Sequence, residues 1–254
     1  MTDTTVVVHA DPELLAQAVA ARLLVRIIDA QAERGEASVV LTGGRIAAAV
    51  HRAVRDLPAR DAVDWSRVDV WWGDERFLPA GHPERNETQA REALLDALPQ
   101  ARVHPMPASD GPDGADPEAA AARYAAELAA AAGPGTATLP YFDVLMLGVG
   151  EDGHVASLFP EHPVAYENRP VSAVRGSPKP PPVRITLTRG AINTAEDVWL
   201  IASGSGKARA VGMALTGAGP VQVPAAGVAG VQRTRWLLDR AAAAEVKPAF
   251  RSLR

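Results

Sequence analysis

Short apolar runs rich in β-branched residues alternate along the chain with longer stretches whose apolar residues recur at helical spacing. The first such pair starts with an apolar run at residues 6–10, which predicts a strand. After Asp11-Pro12, apolar residues recur every three or four positions from Leu14 to Ile28. This spacing predicts an amphipathic helix that begins after an Asp11 N-cap and ends at Gly35.

The same alternation continues to the end of the chain. It predicts further strands at residues 38–42, 68–72, 142–149, 184–188, 198–202 and 236–239, and further helices at 45–57, after Asn86, at about 116–132, after Gly206 and near Ala241. The run at 142–149 is nearly all apolar, as expected for a central strand that is covered on both faces. Strands that alternate with helices favour an α/β fold with a doubly wound, mostly parallel sheet and helices on both faces. Neither turn-rich loop, at 109–116 or 177–182, is typical of an interdomain linker, so we predict one domain over residues 1–254.

Composition and charge narrow the possible functions. The sequence has no cysteine, which excludes disulfides, thiolate catalysis, iron–sulfur clusters and cysteine-ligated zinc. Its formal net charge of −4 argues against a nucleic-acid partner or an anionic membrane. The first residues lack a basic segment, and no apolar stretch approaches the roughly 18–20 residues that cross a membrane. We therefore expect a soluble cytoplasmic protein.

Ligands of an open α/β sheet bind beyond the carboxyl ends of its strands, and two predicted strands end in unusual residues. At Thr42-Gly43-Gly44, paired glycines between a strand and a helix can direct backbone N–H groups at a phosphate. Taken alone, an ordinary tight turn is the simpler interpretation of this segment. The next strand is followed by Asp74-Glu75-Arg76, and Asn86 stands shortly after it. Three consecutive charges beside a buried strand either face a site or pair with each other.

Two later segments point to proton transfer and phosphate binding. A glycine-rich loop after the most apolar strand holds Asp152, Gly153 and His154, and a carboxylate so placed can orient an imidazole for acid/base chemistry. A structural histidine and a metal site are the alternatives, but no further ligand stands at a spacing typical of zinc. In the fourth segment, Lys207 starts a helix after Ser203-Gly-Ser-Gly. That segment lacks the full ATP-binding P-loop pattern, so it predicts a site for a single phosphate group.

The most specific run is Gly148-Val-Gly-Glu-Asp-Gly-His-Val-Ala-Ser-Leu-Phe-Pro160. Together with residues 74–79, Asn86, 181–188, Lys207 and 224–239, it resembles the signature of the 6-phosphogluconolactonases, relatives of the glucosamine-6-phosphate deaminases. The resemblance covers nearly the whole chain in order. It implies a Rossmann-like fold without metal or cofactor. The implied reaction is hydrolysis of 6-phospho-D-glucono-1,5-lactone to 6-phospho-D-gluconate in the oxidative pentose phosphate pathway.

The resemblance also implies roles for single residues. It makes His154 the catalytic base with Asp152 beside it, and it assigns the substrate and its phosphate to Arg76, Arg184, Lys207 and the loop Thr42, Gly43, Gly44. Asp74, Glu75, Asn86 and Gly153 complete the expected binding residues, with the backbone near Gly153 or Arg76 stabilising an oxyanion. The chain departs from the family pattern at Arg45-Ile46, where hydroxyl residues are usual, and at Arg85, where a serine often precedes the asparagine.

Two other functions are weighed against lactone hydrolysis. A glucosamine-6-phosphate deaminase-like isomerase would carry a glutamate five residues after the histidine, where this chain has Phe159. A non-catalytic sugar-phosphate sensor would usually carry a DNA-binding segment, and no helix-turn-helix or basic tail is found in the sequence. Both alternatives are therefore less favoured than hydrolysis. The sequence predicts no particular oligomeric state.

Overall fold

The structure is a computed structural model that describes residues 3–132 and 138–251. Within these residues the strands are β1 (Asp3–His9), β2 (Ala37–Leu41), β3 (Val68–Trp72), β4 (Asp74–Arg76), β5 (Arg102–Val103), β6 (Val144–Gly148), β7 (Val171–Val174), β8 (Arg184–Leu187), β9 (Asp197–Ala202) and β10 (Arg233–Asp239). The helices are α1 (Pro12–Arg34), α2 (Arg45–Asp56), α3 (Asn86–Ala93), α4 (Pro117–Ala131), α5 (Arg189–Ile192), α6 (Ala208–Leu215) and α7 (Pro248–Arg251). None of the described helices is long and apolar enough to cross a membrane.

Seven parallel strands form the main sheet, in the order β1-β10-β9-β6-β2-β3-β5. From β2 the chain moves outward through β3 to β5, then returns to β6 beside β2 and moves outward in the other direction through β9 to β10. The direction of winding therefore reverses between β2 and β6, and a crevice forms at the carboxyl ends of strands at such a reversal. The predicted doubly wound, mostly parallel Rossmann-like fold is confirmed, with β6 as a buried central strand.

The first helix shows why the sequence pattern could be interpreted locally. The Asp11 carboxylate accepts a hydrogen bond from the backbone N–H of Leu14 at 2.8 Å and caps α1. Gly35 ends the helix in a left-handed conformation, with φ of 82°, which glycine adopts without steric penalty. Both ends of the helix lie where the sequence predicted them. Its apolar stripe, from Leu15 to Ala30, is buried against the sheet and α2.

A second sheet, in the order β4-β8-β7, is antiparallel and corrects the predicted membership of residues 184–188. These residues form a buried strand as expected, but they pair with β4 and not with the parallel sheet. Arg76 stands opposite Arg184 in this pairing. The charged run 74–76 carried no strand signal, so its partnership with β8 was not foreseen.

The helix predicted near Ala241 is wrong. Residues 240–245 form consecutive turns, and the last helix, α7, begins only at Pro248. The Asp239 carboxylate at the end of β10 accepts hydrogen bonds from the N–H groups of Ala242 at 2.7 Å and Gly204 at 3.1 Å. It thereby ties this turn to the loop after β9, and the alanine run is too short to continue as a helix.

Candidate active site

A cavity of about 520 Å³ opens at the carboxyl ends of β2, β6 and β9, where the winding of the sheet reverses. Loops after these three strands supply most of its lining, and the small sheet and the N-terminal parts of α1, α2 and α3 supply the rest. The sequence-predicted residues that line it are Thr42, Gly43, Gly44, Asp74, Arg76, Asn86, His154, Arg184 and Lys207. The structure therefore brings together most of a site whose members are up to 165 residues apart in the sequence.

The loop after β6 presents His154 to this cavity, and Asp152, which does not itself line the cavity, lies beside the imidazole. Nδ1 of His154 lies 2.5 Å from Oδ1 of Asp152, and a tight turn holds the pair because Gly150 N–H donates to the His154 carbonyl at 2.8 Å. Since Nδ1 is engaged by the carboxylate and the imidazole lines the cavity, Nε2 is the nitrogen left for a ligand. The ring also packs against that of Phe159, with centroids 4.8 Å apart.

Gly150 is a residue of this site that the sequence analysis did not single out. A Cβ added to it would lie 2.0 Å from Nδ1 of His154 and 2.4 Å from Oδ1 of Asp152, which is far inside contact distance. The pair can therefore form only above a glycine. The signal was present in the glycine-rich run before His154, but the run alone did not distinguish a steric requirement from a flexible turn.

The electrostatics of the pair keep the aspartate ionised. Burial is the largest single influence on the pKa of Asp152 and would raise it, but the hydrogen bonds and charge of His154 together with the charge of Lys179 outweigh burial and lower the pKa. Nζ of Lys179 lies 3.6 Å from the Asp152 carboxylate. The sequence analysis missed Lys179, since it interpreted the loop 177–182 only as a set of turn formers.

The cations of the site differ in how far they are already engaged. The Arg184 guanidinium is nearly buried and donates to the carbonyl oxygens of Lys179 at 3.1 Å, Pro180 at 2.9 Å and Pro181 at 3.2 Å. The Lys207 ammonium has no carboxylate within ion-pair distance in the described part of the chain. Burial lowers the pKa of Lys207, partly offset by the charge of Glu151. Of these two cations, Lys207 is thus the more available to a ligand.

Arg76 is held at the cavity with one donor unused. Its Nη1 donates to the carbonyl oxygen of Glu84 at 2.5 Å, while its buried Nε has no hydrogen-bond partner among the described residues. A buried N–H without a partner is unfavourable, so this N–H is suited to donate a hydrogen bond to a ligand oxygen.

Asp74 and Asn86 form a connected polar wall. The Asp74 carboxylate accepts from Ser157 Oγ at 2.7 Å, and the Asn86 amide donates to the Asp74 carbonyl at 2.9 Å. The Asn86 amide also explains Gly43, since a Cβ there would lie 1.8 Å from Oδ1 of Asn86. Thr42 accepts the N–H of Gly148 at 3.2 Å through its hydroxyl and joins the loops after β2 and β6.

Two predicted binding residues, Glu75 and Gly153, do not line the cavity. The Glu75 carboxylate is buried and accepts backbone N–H groups of Arg76 at 2.8 Å, Asn86 at 2.7 Å and Glu87 at 2.9 Å, so it caps α3. Gly153 donates its N–H to the Gly150 carbonyl at 3.1 Å, which removes it as a donor to an oxyanion. Its φ of 84° and the Val223 side chain, 2.7 Å from where a Cβ would stand, account for the glycine. Both residues position their neighbours.

The described residues contain no group of three or more His, Asp or Glu side chains placed to hold a metal ion.

Comparisons with known proteins agree on one family. Residues 10–236 match the family described as Glucosamine-6-phosphate isomerases/6-phosphogluconolactonase. The chain is 62% identical to the 6-phosphogluconolactonase of Streptomyces coelicolor, over 97% of this chain and 96% of that protein. It is 49% identical to the 6-phosphogluconolactonase of Mycobacterium tuberculosis, over 96% and 98% of the two chains. The solved 6-phosphogluconolactonase from Trypanosoma brucei superposes with a TM-score of 0.82 at 29% identity, over 97% and 100% of the two chains.

Proposed function

The chain belongs to the family of glucosamine-6-phosphate isomerases and 6-phosphogluconolactonases, and we propose that His154 and Asp152 carry the proton transfers of its reaction. The reaction is hydrolysis of 6-phospho-D-glucono-1,5-lactone to 6-phospho-D-gluconate in the oxidative pentose phosphate pathway. The enzyme is accordingly a lactone hydrolase. The observation that carries the residue assignment is the 2.5 Å contact between Nδ1 of His154 and Asp152 at the wall of the cavity.

In the first chemical step His154 acts as a general base. Asp152 accepts the Nδ1 proton and so fixes the tautomer whose Nε2 is unprotonated. Nε2 takes a proton from a water molecule while the water oxygen bonds to C1 of the lactone and the carbonyl electron pair moves to oxygen. A positioned general base of this kind contributes about 10²–10⁴-fold to the rate.

In the second step the ring opens. The carbonyl forms again as the bond between C1 and the ring oxygen breaks, and the imidazolium of His154 returns its proton to that oxygen. The negative charge on the former carbonyl oxygen needs a donor between the two steps. We assign this donor to Arg76 Nε, because it is buried without a partner in the described residues and Arg76 lines the cavity.

We assign the substrate phosphate to Lys207 and the first turn of α2. Gly44 is the N-cap of α2 and gives no side-chain cap, so the N–H groups of that turn remain open to the cavity. The binding energy of the phosphate then holds the lactone carbonyl close to the base. This positioning makes hydrolysis of the bound lactone faster than its spontaneous hydrolysis in water.

Phe159 supports hydrolysis over the deaminase alternative. It occupies the position five residues after the histidine, and its ring packs on His154. An aromatic hydrocarbon cannot take part in a proton relay. We also propose that the enzyme is cytoplasmic and acts on a small molecule. Its net charge of −4 argues against a nucleic-acid partner.

The test is a coupled assay with freshly prepared 6-phosphogluconolactone, in which a dehydrogenase specific for 6-phosphogluconate reports product and the spontaneous rate is subtracted. The wild-type chain is expected to accelerate hydrolysis and His154→Ala to fall close to the spontaneous rate. A wild-type chain without acceleration would refute the activity. Near-normal turnover by His154→Ala would transfer the role of base to Asp74, the acidic residue that lines the cavity.

A further inference from the structure

Lys179 reaches the aspartate–histidine pair from a different part of the fold. It belongs to the loop at 177–182 between β7 and β8, in the small antiparallel sheet. Its Nζ lies 3.6 Å from Oδ1 of Asp152, the same oxygen atom that lies 2.5 Å from Nδ1 of His154. The Lys179 ammonium and the His154 imidazole therefore share one carboxylate oxygen of Asp152.

The backbone around Lys179 is held from both sides. Its carbonyl oxygen accepts from Arg184 Nη2 at 3.1 Å and from Ser177 Oγ at 2.8 Å, and its own N–H donates to Ser177 Oγ at 3.3 Å. Arg184 also binds the two following carbonyl oxygens of the loop, and it is itself nearly buried. An ion pair at a surface is usually weakened by the entropy that is lost when its long side chains are held in one place. Because the backbone of Lys179 is already fixed, less entropy is lost when this lysine stays beside Asp152.

The charge of Lys179 acts on the proton affinity of the imidazole through the shared oxygen. A carboxylate beside a histidine stabilises the protonated ring, and protonation removes the base. A cation on that carboxylate opposes this effect. Other charged groups lie around the pair. Lys207 interacts electrostatically with Asp152, Lys179 and Glu151. The Arg184 guanidinium lies over the Phe159 ring, 5.8 Å from its centroid.

We propose that Lys179 is a positioning residue that acts through Asp152, holding the shared carboxylate oxygen against His154 and offsetting its charge so that the imidazole remains available as the base. The inference rests on the proposed role of His154 as the base. It assigns no substrate contact to Lys179. Three results in variants of Lys179 would distinguish this role from a purely structural one. They are a shifted pH profile when the charge is removed, an unchanged KM, and restored behaviour when arginine replaces the lysine.

The experiment measures kcat and KM for 6-phosphogluconolactone from pH 5.5 to 8.5 in the wild type, Lys179→Met, Lys179→Arg and the control Lys247→Met, which removes the same charge at an exposed position near α7. In Lys179→Met, the acid limb of kcat is expected to move up by about half a pH unit, the effect of one part-exposed charge. On that limb the rate then falls about threefold, while rates at pH 8 and KM stay close to wild type. Lys179→Arg should restore the wild-type limb, and Lys247→Met should leave it in place.

A second readout does not need turnover. The imidazole of His154 is titrated by NMR in the wild type and in Lys179→Met, with its signals assigned from their loss in His154→Ala. The midpoint should be higher in Lys179→Met. An unmoved midpoint, an unmoved acid limb with a raised KM, or Lys179→Arg behaving like Lys179→Met would each overturn the inference. Absence of lactone hydrolysis in the wild type would instead refute the proposed function, with the NMR comparison still deciding the electrostatic role.

Discussion

Gly150 offers the sharpest test of the geometry proposed for the aspartate–histidine pair. In Gly150→Ala, the new Cβ would lie 2.0 Å from Nδ1 and 2.3 Å from Cε1 of His154, distances that real Cβ atoms do not adopt. Gly150 does not have a positive φ, so the backbone itself tolerates alanine. The imidazole and the Asp152 carboxylate must therefore shift away from the new methyl group by about 1 Å to make room.

The size of the effect follows from that displacement. A misplacement of about 1 Å in a reacting group lowers a rate by roughly 10²-fold, which corresponds to about 2.7 kcal/mol of transition-state stabilisation. KM should change much less, because Lys207 and the first turn of α2 are not touched by the new methyl group. Overpacking should lower the stability by about 1–3 kcal/mol and the Tm by a few degrees.

The assay pairs the coupled lactonase measurement with a thermal melt, and Gly73→Ala is the control. A Cβ at Gly73 would make only ordinary contacts, all at 3.8 Å, with Leu147, Leu41 and Val40. The control should keep its kcat within a factor of two and its melting profile. If Gly150→Ala keeps a kcat within threefold of wild type while folded, the pair drawn here is not the catalytic geometry.

Three further predictions concern the base, the phosphate site and a buried carboxylate. His154→Ala should abolish most of kcat, and Asp152→Asn should lower it less, while both variants still bind 6-phosphogluconate in calorimetry because the phosphate contacts lie elsewhere. The wild-type kcat, measured above spontaneous hydrolysis, should fall on the acid side of the pH profile, because protonation of the imidazole removes the base. Lys207→Ala should raise KM for the phosphorylated lactone about tenfold or more and leave unphosphorylated gluconolactone unaffected; equal losses on both would place the phosphate elsewhere. Burial raises the pKa of Glu75 to about 7, against the charge of Arg85 and three backbone N–H groups, so the folded chain binds this proton more tightly than the unfolded chain. Its contribution to the free energy of unfolding should therefore decrease as the pH rises from 4.5 towards 7, and urea unfolding of Glu75→Gln should lack that part of the slope.

The parts of the site that the sequence predicted well depend on short-range relations. Asp152 and His154 are two residues apart, so their contact needs only the turn that the glycines around them allow. Likewise, the loops after β2 and β6 could be placed at one edge because parallel strands share their carboxyl ends. The local sequence pattern was enough to predict the Asp152–His154 contact, and the rule that parallel strands end at one edge was enough to place the two loops together.

The different fates of residues 74–76 could not be predicted without the second sheet. The sequence suggested a cluster of three charges after a strand, all assigned to the substrate. In the structure they form β4, and successive side chains of a strand point to opposite faces. Asp74 and Arg76 therefore face the cavity, while Glu75 points the other way and caps α3. Recognising this alternation required β8 as a partner, which lies about a hundred residues further along the chain.

Arg85 and Arg184 show that the sequence alone also does not reveal which cations contact a ligand. Arg85 replaces a residue that is often serine in relatives, yet its guanidinium is buried and donates to the carbonyl oxygens of Met106 at 2.7 Å and Leu78 at 3.2 Å. Arg184 spends two of its donor groups on the loop that carries Lys179. An arginine in a motif thus does not by itself indicate a ligand contact, because backbone carbonyls of a nearby loop satisfy a guanidinium equally well. What separates Lys207 from these arginines is that its ammonium has neither a hydrogen-bond nor an ion-pair partner among the described residues, a property visible only in the folded chain. For this reason we assign the phosphate to Lys207. Arg184 instead binds the loop that carries Lys179 and so holds Lys179 beside Asp152.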